Sequence, residues 1–170
     1  MLASLFRRLT ATGERGSALF AEITVEARRP HWYVEGEVRD TVDGRFAVLA
    51  TVAAMVLVRL ERDDREGDLL SVALTERFIH TMDTEHREMG LGDPTLGKKV
   101  RKLVGSLSRR VDLCRSATAG EEDWIAAAEQ SLYKRGTSPG ALIHSADSLR
   151  DLRARLERTP LDALAEGRIG

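Results

Sequence analysis

The sequence predicts an all-α protein that folds as a single compact domain of six or seven helices. Three observations favour this class. A chain of 170 residues suits one ordinary domain and is short for two. Leu, Ala, Arg and Glu are abundant while aromatic residues make up only 5%, a composition that favours helices over strands. Apolar residues also recur every three or four positions along most of the chain, which is the helical period.

The chain is expected to begin with an amphipathic segment over residues 1–12, which either packs on the body of the protein or touches a surface. Its apolar residues stand at helical spacing and are Leu2, Leu5, Phe6 and Leu9. A second helix is predicted over residues 17–27. This helix must end near Arg29, because Pro30 disfavours helical geometry in the residue before it.

A long loop is predicted over residues 31–45, with Trp32 and Tyr33 at the edge of the core. Thr41 or Asp43 can then cap a helix with the body FAVLATVAAMVLVRL. This helix is apolar on nearly every face, so other elements must surround it. Its longest apolar run has 13 residues, which at ~1.5 Å per residue is too short for the ~30 Å core of a membrane.

Two helices of opposite charge are predicted to follow. Asp68 is expected to cap the first, over residues 69–89, after an exposed charged linker. Its buried stripe is Leu70, Leu74, Phe78, Met82 and Met89. Glycines and Pro94 then break the chain, and a basic helix is predicted to run from there to Arg115. The apolar side of the basic helix is Leu96, Val100, Leu103, Val104, Leu107, Val111 and Cys114.

Shorter elements complete the predicted domain. After a loop over residues 116–120, a helix is expected over residues 121–133 and a last long helix over residues 142–156. Thr159 and Pro160 stop that helix, and a short turn follows over residues 161–165.

The net charge of −1 gives no global field that would indicate a nucleic-acid or acidic partner. The distribution is uneven, because residues 61–93 contain ten acids and four bases whereas residues 98–115 contain seven bases and one acid. The sole cysteine, Cys114, excludes an intramolecular disulfide. The first sixteen residues contain no apolar stretch long enough for a signal peptide, so a cytoplasmic location is expected.

The histidines and acids do not have the spacing that a catalytic or metal site on one helix needs. His80 and His86 point about 120° apart on a helix, whereas helical zinc ligands stand three or four residues apart. The chain has no nucleophile elbow and no Gly-rich phosphate loop. We therefore expect no enzyme, no catalytic residue, no metal and no cofactor. A less favoured hypothesis is a metal-dependent enzyme whose ligands are His80 and Asp83 together with His31 or His144.

The basic helix concentrates positive charge on one face. Lys98, Lys102 and Arg109 cluster within about 40° of one another. They form either a solvated face or a binding face for an acidic protein, ribosomal RNA or anionic lipid. No aromatic residues are interleaved for base stacking, so only phosphate contact remains and no DNA partner is expected. A factor that contacts RNA or the ribosome through this helix is the alternative function.

Several pieces of sequence stand in an order that resembles a known family. They are DTVDGRF (Asp40 to Phe46), an apolar helix that ends in VRL, MDTEHREMGLGD (Met82 to Asp93) and LGKKVRKL (Leu96 to Leu103). In order and spacing these pieces resemble the ubiquinol-cytochrome c chaperone family of complex III assembly factors. With the flanking ARRPHWYVEG, the resemblance covers roughly residues 20–115.

The resemblance implies an all-helical, non-enzymatic chaperone that binds newly made cytochrome b and promotes assembly of the ubiquinol-cytochrome c reductase complex. Cytochrome b or another complex III component is then the client, and a second assembly factor is an implied partner. Contact with the membrane surface or the ribosome is a further expectation, with a peripheral location at the inner membrane.

The expected partner-binding residues lie in or beside the matched pieces. They are Asp40, Asp43, Arg45, Asp83, Arg87, Glu88, Asp93, Lys98, Lys99 and Lys102. The acids and the arginine at residues 83–93 would form a charged rim that orients the partner, and the three lysines would form a basic contact strip. We expect residues 89–99 to make a rigid corner that displays opposite charges on its two arms.

Overall fold

The computed structural model describes the backbone of residues 2–88 and 96–170 and, within them, the side chains of residues 14–84, 98 and 100–170. This part of the chain contains seven α-helices, one 3-10 turn and no strand. The elements are α1 (Leu2–Ala27), the 3-10 turn (Pro30–Trp32), α2 (Val42–Leu60), α3 (Asp64–Glu88), α4 (Leu96–Ala119), α5 (Trp124–Leu132), α6 (Pro139–Arg158) and α7 (Leu161–Ala165). The predicted all-α class with six or seven helices is confirmed.

Helix α2 lies at the centre and contacts α1, α3, α4, α5 and α6. From Ala47 to Leu60 every residue is buried except Leu49 and Val58, which are half-buried. The prediction that other elements surround this apolar helix is therefore confirmed. Within residues 2–88 and 96–170, none of the helices combines the length and the hydropathy that a membrane crossing needs.

Helix α1 is continuous, so the predicted start of a second helix at residue 17 is wrong. Gly16 lies within it, at a point where an added Cβ would come 2.8 Å from the carbonyl carbon and the Cβ of Ala73 on α3. Glycine is needed there because the two helices approach so closely. Further along, the rings of Phe20 and Phe78 stand 6.3 Å apart edge to face. The two contacts advance together along both helices, so α1 and α3 run in the same direction.

Helix α3 begins at Asp64, earlier than the predicted cap at Asp68. The turn that allows this is tight. An added Cβ at Gly67 would lie 2.2 Å from the carbonyl oxygen of Leu60, and the Gly67 N–H donates to the carbonyl of Asp63 at 3.0 Å. The linker predicted as an exposed charged loop is thus reduced to a short turn followed by helix.

Helix α4 continues through Ala119 and does not end at Arg115 as predicted. Its end coincides with the positive φ of Gly120 (+78°), a conformation that glycine adopts at helix C-termini. Leu107 and Cys114 of the predicted apolar side are buried, but Val104 is 40% exposed. Helices α5 and α6 differ from their predicted bounds by one to three residues, and α7 has the bounds predicted for the short turn.

Arg59 is a buried cation near the end of α2 that caps α6. Its Nε donates to the carbonyl of Leu156 at 2.9 Å and its Nη2 to the carbonyl of Thr159 at 2.8 Å. Its Nη1 pairs with the carboxylate of Asp63. The last carbonyls of a helix lack their usual donors within the helix. The Thr159 N–H reaches the Leu156 carbonyl at 3.2 Å, and the guanidinium adds a second donor to that carbonyl and supplies one to the Thr159 carbonyl.

Candidate partner-binding groove

An open groove of about 1050 Å³ lies between α1, the segment that joins α1 to α2, the first turns of α2, and α3. Its apolar lining includes Phe20, Ala27, Val34, Val42, Leu49 and Met82. Val34 and Val42 are 67% and 62% exposed, so apolar surface is open to solvent at the groove. Three charged residues, Arg28, Asp40 and Arg45, also line it.

The segment DTVDGRF begins α2 and supplies residues to the groove. Thr41 is the N-cap, with an extended backbone and a side-chain oxygen that accepts from the Gly44 N–H at 3.2 Å. An added Cβ at Gly44 would lie 1.9 Å from the carbonyl oxygen of Arg39, so only glycine fits there. The cap and the glycine fix the start of α2, which in turn places Arg45 and Phe46 at the groove.

Asp40 and Arg45 form an ion pair at the groove, with Arg45 Nε 2.5 Å from Asp40 Oδ1. The hydrogen bond from Arg45 holds the pKa of the Asp40 carboxyl below its ordinary value, and the same bond raises the pKa of Arg45. Both side chains are exposed, so the pair contributes little to stability. It fixes the position of both charged groups and leaves them accessible to a partner.

Asp43 faces a different set of partners from Asp40. Its carboxylate accepts from Lys134 Nζ at 2.6 Å, and this hydrogen bond is the main cause that lowers the pKa of Asp43, followed by the charge of Lys134. The charge of Lys102 on α4 lowers it further. The structure therefore brings Asp43 and Lys102, two predicted partner-binding residues from separate pieces of sequence, into electrostatic contact.

Phe46 is a half-buried wall of the groove that is supported by other helices. Its ring lies 6.1 Å from that of Phe78 on α3, and the guanidinium carbon of Arg110 on α4 lies 5.8 Å from its centroid. Arg110 is itself held by the carbonyl of Ser131 on α5, to which its Nε and Nη2 donate at 3.1 and 2.8 Å. Burial is the main cause that lowers the pKa of Arg110. This wall is therefore preorganised before a partner arrives.

Tyr33 lies at the polar end of the groove, which we define by Arg28, Tyr33, Asp40 and Arg45. Its hydroxyl donates to the carbonyl of Ala27 at 2.8 Å, and burial raises its pKa while the charges of Arg45 and Arg28 act in the opposite direction. The adjacent Trp32 is buried and donates from Nε1 to a backbone carbonyl of α1 at 3.1 Å. The expectation that these aromatic residues lie at the edge of the core is confirmed for Trp32, whereas Tyr33 also faces the groove.

The predicted partner-binding residues are distributed over several places. Asp40 and Arg45 line the groove, and Asp83 follows the groove residue Met82 on α3. The lysines Lys98 and Lys102 are exposed on α4. The remaining predicted residues lie outside the described side chains, and these are Arg87, Glu88, Asp93 and Lys99. Of the corner predicted over residues 89–99, residues 89–95 lie outside the described residues, and so does the predicted buried position of Met89.

The histidines of the metal hypothesis have other neighbours. Nδ1 of His31 lies 3.2 Å from Nε2 of His144, which joins the segment after α1 to α6. Burial and then the charge of His144 lower the pKa of His31. In the described part of the chain no group of three His, Cys, Asp or Glu residues could hold a metal ion. The set proposed from the sequence, with His80 and Asp83, is therefore not formed by those residues.

Several groove residues were not predicted from the sequence. Phe20 and Ala27 come from α1, and Arg28 and Val34 come from the joining segment. The sequence signal that was available is the apolar Val34 beside Trp32 and Tyr33 in a predicted loop. An apolar loop residue either packs in the core or is exposed at a binding surface, and Val34 is 67% exposed. The residues of α1 carried no such signal, because their role depends on how α1 lies against α3.

Comparison with known proteins bears on this groove and on the matched pieces of sequence. A family model described as "Ubiquinol-cytochrome C chaperone" matches residues 35–169. A solved structure, "Crystal structure of the Cbp3 homolog from Brucella abortus", is similar with a TM-score of 0.82 and 25% sequence identity, and the match covers 100% of this chain and 96% of that one. No curated protein matches the chain. The family model spans most of the sequence, including the groove segment from residue 35 onward and α2 to α7, and the chain therefore belongs to the ubiquinol-cytochrome c chaperone family.

Proposed function

We propose that this protein is a non-enzymatic chaperone that promotes assembly of the ubiquinol-cytochrome c reductase complex, and that newly made cytochrome b is its client. Membership of the chaperone family supports the general role. The observation that carries the finer proposal is the open apolar groove, because pieces of the sequence that carry the family resemblance supply Asp40, Arg45, Phe46 and Met82 to it.

The groove suits a client that is a membrane protein. Segments of such a client are apolar and are exposed to water before they insert into the bilayer. Each large apolar side chain that enters the groove contributes about 1.5–3 kcal/mol before the costs of association are subtracted. Met82 lines the groove and is only 4% exposed, so its flexible thioether side chain can repack beneath varied shapes. The groove would thus hold an apolar segment without one fixed sequence.

We also propose a second contact through charged residues outside the groove. Lys98 and Lys102 are exposed on α4, and the charge of Lys102 lowers the pKa of Asp43, which pairs with Lys134. Together with Lys99 they would form the basic contact strip, and the acidic residues around Asp83 would form the charged rim. These contacts would place the chaperone at the cytoplasmic side of the inner membrane while it holds its client.

Site-specific crosslinking in cells tests the client. A photo-reactive phenylalanine derivative would be introduced at Val34 or at Val42, both exposed at the groove. The matched control is Val72 on α3, which is 57% exposed and does not line the groove. We expect crosslinks to cytochrome b from the two groove positions and none from the control. Equal crosslinking from all three positions would show that the groove is not the binding surface.

Deletion of the gene tests the role in assembly independently of the groove. We expect lower levels of the assembled complex and faster loss of cytochrome b, with both restored by the unaltered gene. The groove variant Val42→Asp should restore less than the control variant Val72→Asp. Normal complex levels in the deletion strain would refute the proposed function.

A further inference from the structure

We infer that the groove selects an apolar client helix that carries a carboxylate near one end, and that Arg28 pairs with this carboxylate. This inference rests on the proposed function, because it specifies the chemistry of the segment that the groove holds. The geometry that points to it is the arrangement of two arginines around the polar end of an apolar groove.

Arg28 and Arg45 both lie close enough to the phenol of Tyr33 to influence its ionisation. The two arginines differ in their partners. Arg45 is already paired with Asp40 at 2.5 Å, so its charge is largely neutralised. Arg28 is exposed, lines the groove, and forms no ion pair with any residue that the structure describes. One cation is therefore available to a partner at this end of the groove.

The charges of the lining support an acidic occupant. Two arginines and one aspartate line the groove, which gives it a net charge of +1. A client carboxylate that reaches Arg28 would form a charge-assisted hydrogen bond at the edge of an apolar surface, whereas a client lysine would be repelled. Charge complementarity thus favours an apolar segment with an acidic flank over one with a basic flank.

The secondary structure of the described residues favours a helix as the occupant. An extended peptide usually binds by adding a strand to the edge of a sheet, and residues 2–88 and 96–170 contain no strand that could accept it. The groove lies between helices and presents mainly side chains. An amphipathic or apolar helix bound by its side chains matches this surface.

Binding of synthetic peptides to the purified full-length protein tests the inference. The probes are four fluorescent 16-residue Leu/Ala helices that are identical except for two Glu or two Lys residues, placed at the N-terminal or the C-terminal end. Fluorescence anisotropy at low salt gives the four affinities. We expect one of the Glu peptides to bind about tenfold more tightly than its Lys counterpart, since the change replaces attraction by repulsion.

Charge reversal at Arg28 is the decisive variant. Arg28→Glu should reverse the preference, so that the Lys peptide binds more tightly than the Glu peptide. The matched control is Arg62→Glu, an exposed arginine that follows α2 and lies roughly 30 Å along that helix from Val42. The control should keep the original preference. Val42→Asp should weaken binding of every peptide, because it places a charge on the apolar lining.

Two results would overturn the inference. The first is equal affinity for Glu and Lys peptides, or a preference that Arg28→Glu leaves unchanged. The second is binding of vesicles of phosphatidylglycerol, but not of peptides, in a manner that depends on Arg28, since the occupant would then be a lipid. Neither result changes the deletion experiment, so a strain that still needs the protein for complex assembly would retain the proposed function while this inference fails.

Discussion

Replacement of Arg59 is expected to destabilise the protein strongly, because this side chain satisfies two buried carbonyls at once. Arg59 is only 8% exposed, and it donates to the carbonyl oxygens of Leu156 and Thr159 at 2.9 and 2.8 Å. In Arg59→Ala the Thr159 carbonyl loses its guanidinium donor, the Leu156 carbonyl keeps only the Thr159 N–H, and Asp63 loses the cation that it pairs with. Sequence alone places this arginine in an apolar helix and gives no reason for its presence.

The magnitude follows from the two bonds. A hydrogen bond to a charged donor contributes about 1.5–3 kcal/mol, so the loss of two gives a decrease of about 3–6 kcal/mol in the free energy of unfolding. Arg59→Lys keeps the charge but cannot present two separated donors to the two carbonyls, so we expect about half of this decrease. Arg62→Ala is the control, because Arg62 is exposed, and its effect should lie within about 0.5 kcal/mol.

Urea denaturation followed by circular dichroism measures these differences. With a dependence on urea of about 2 kcal/mol per molar, Arg59→Ala should lower the midpoint by about 2 M. The slope should be the same in all variants, which verifies that the denatured state is unchanged. A decrease below about 1 kcal/mol for Arg59→Ala would refute the reasoning, since water would then replace the guanidinium at the end of α6.

Three further predictions concern glycines, the thiol and pH. Gly16→Ala should lower the free energy of unfolding by about 1–3 kcal/mol, because the added Cβ would press on Ala73 of α3. Gly105→Ala should raise it by about 0.5–1 kcal/mol, because the added Cβ meets no atom of another element within 4 Å. Urea denaturation distinguishes the two signs. Cys114 is buried, which raises its pKa to about 12, so iodoacetamide at pH 8 should modify it at least ~100-fold more slowly in the native protein than in urea. The pKa of His31 is lowered in the folded state, so the unfolded state takes up the proton more readily. The urea midpoint should therefore be constant above about pH 6.5 and fall below that pH. His31→Asn should reduce this fall, and an unchanged pH profile in the variant would show that His31 is not its cause.

The fold was predictable where a local pattern and a strong boundary signal coincide. Helix α2 is apolar on nearly every face, and Thr41 caps it as one of the two residues expected. Helix α7 begins after Pro160, whose fixed φ marks the boundary. The continuity of α1 was not predictable, because the low helix propensity of Gly16 indicates a break. Packing against Ala73 outweighs that propensity, and a single sequence does not reveal which helix lies opposite.

The groove was predictable in part. Resemblance to the family identified Asp40 and Arg45, and the start of α2 places both at the groove. Arg28 was missed because nothing in its own segment distinguishes it from other arginines at the end of a helix. Its position becomes informative only when Tyr33 and Arg45 are brought beside it by tertiary contacts. The pattern of charge along the sequence therefore does not reveal a groove whose lining comes from four separate segments.

The groove also has a consequence for the order in which the protein becomes competent during translation. Its lining residues fall between Phe20 and Met82, in the first half of the chain. Arg110, which lies against the Phe46 ring, and Ser131, which holds Arg110, are made later. A ribosome thus releases the residues that line the groove before those that support one wall. The Phe46 wall of the groove would therefore gain its support only when α4 and α5 dock, after the lining residues have been made.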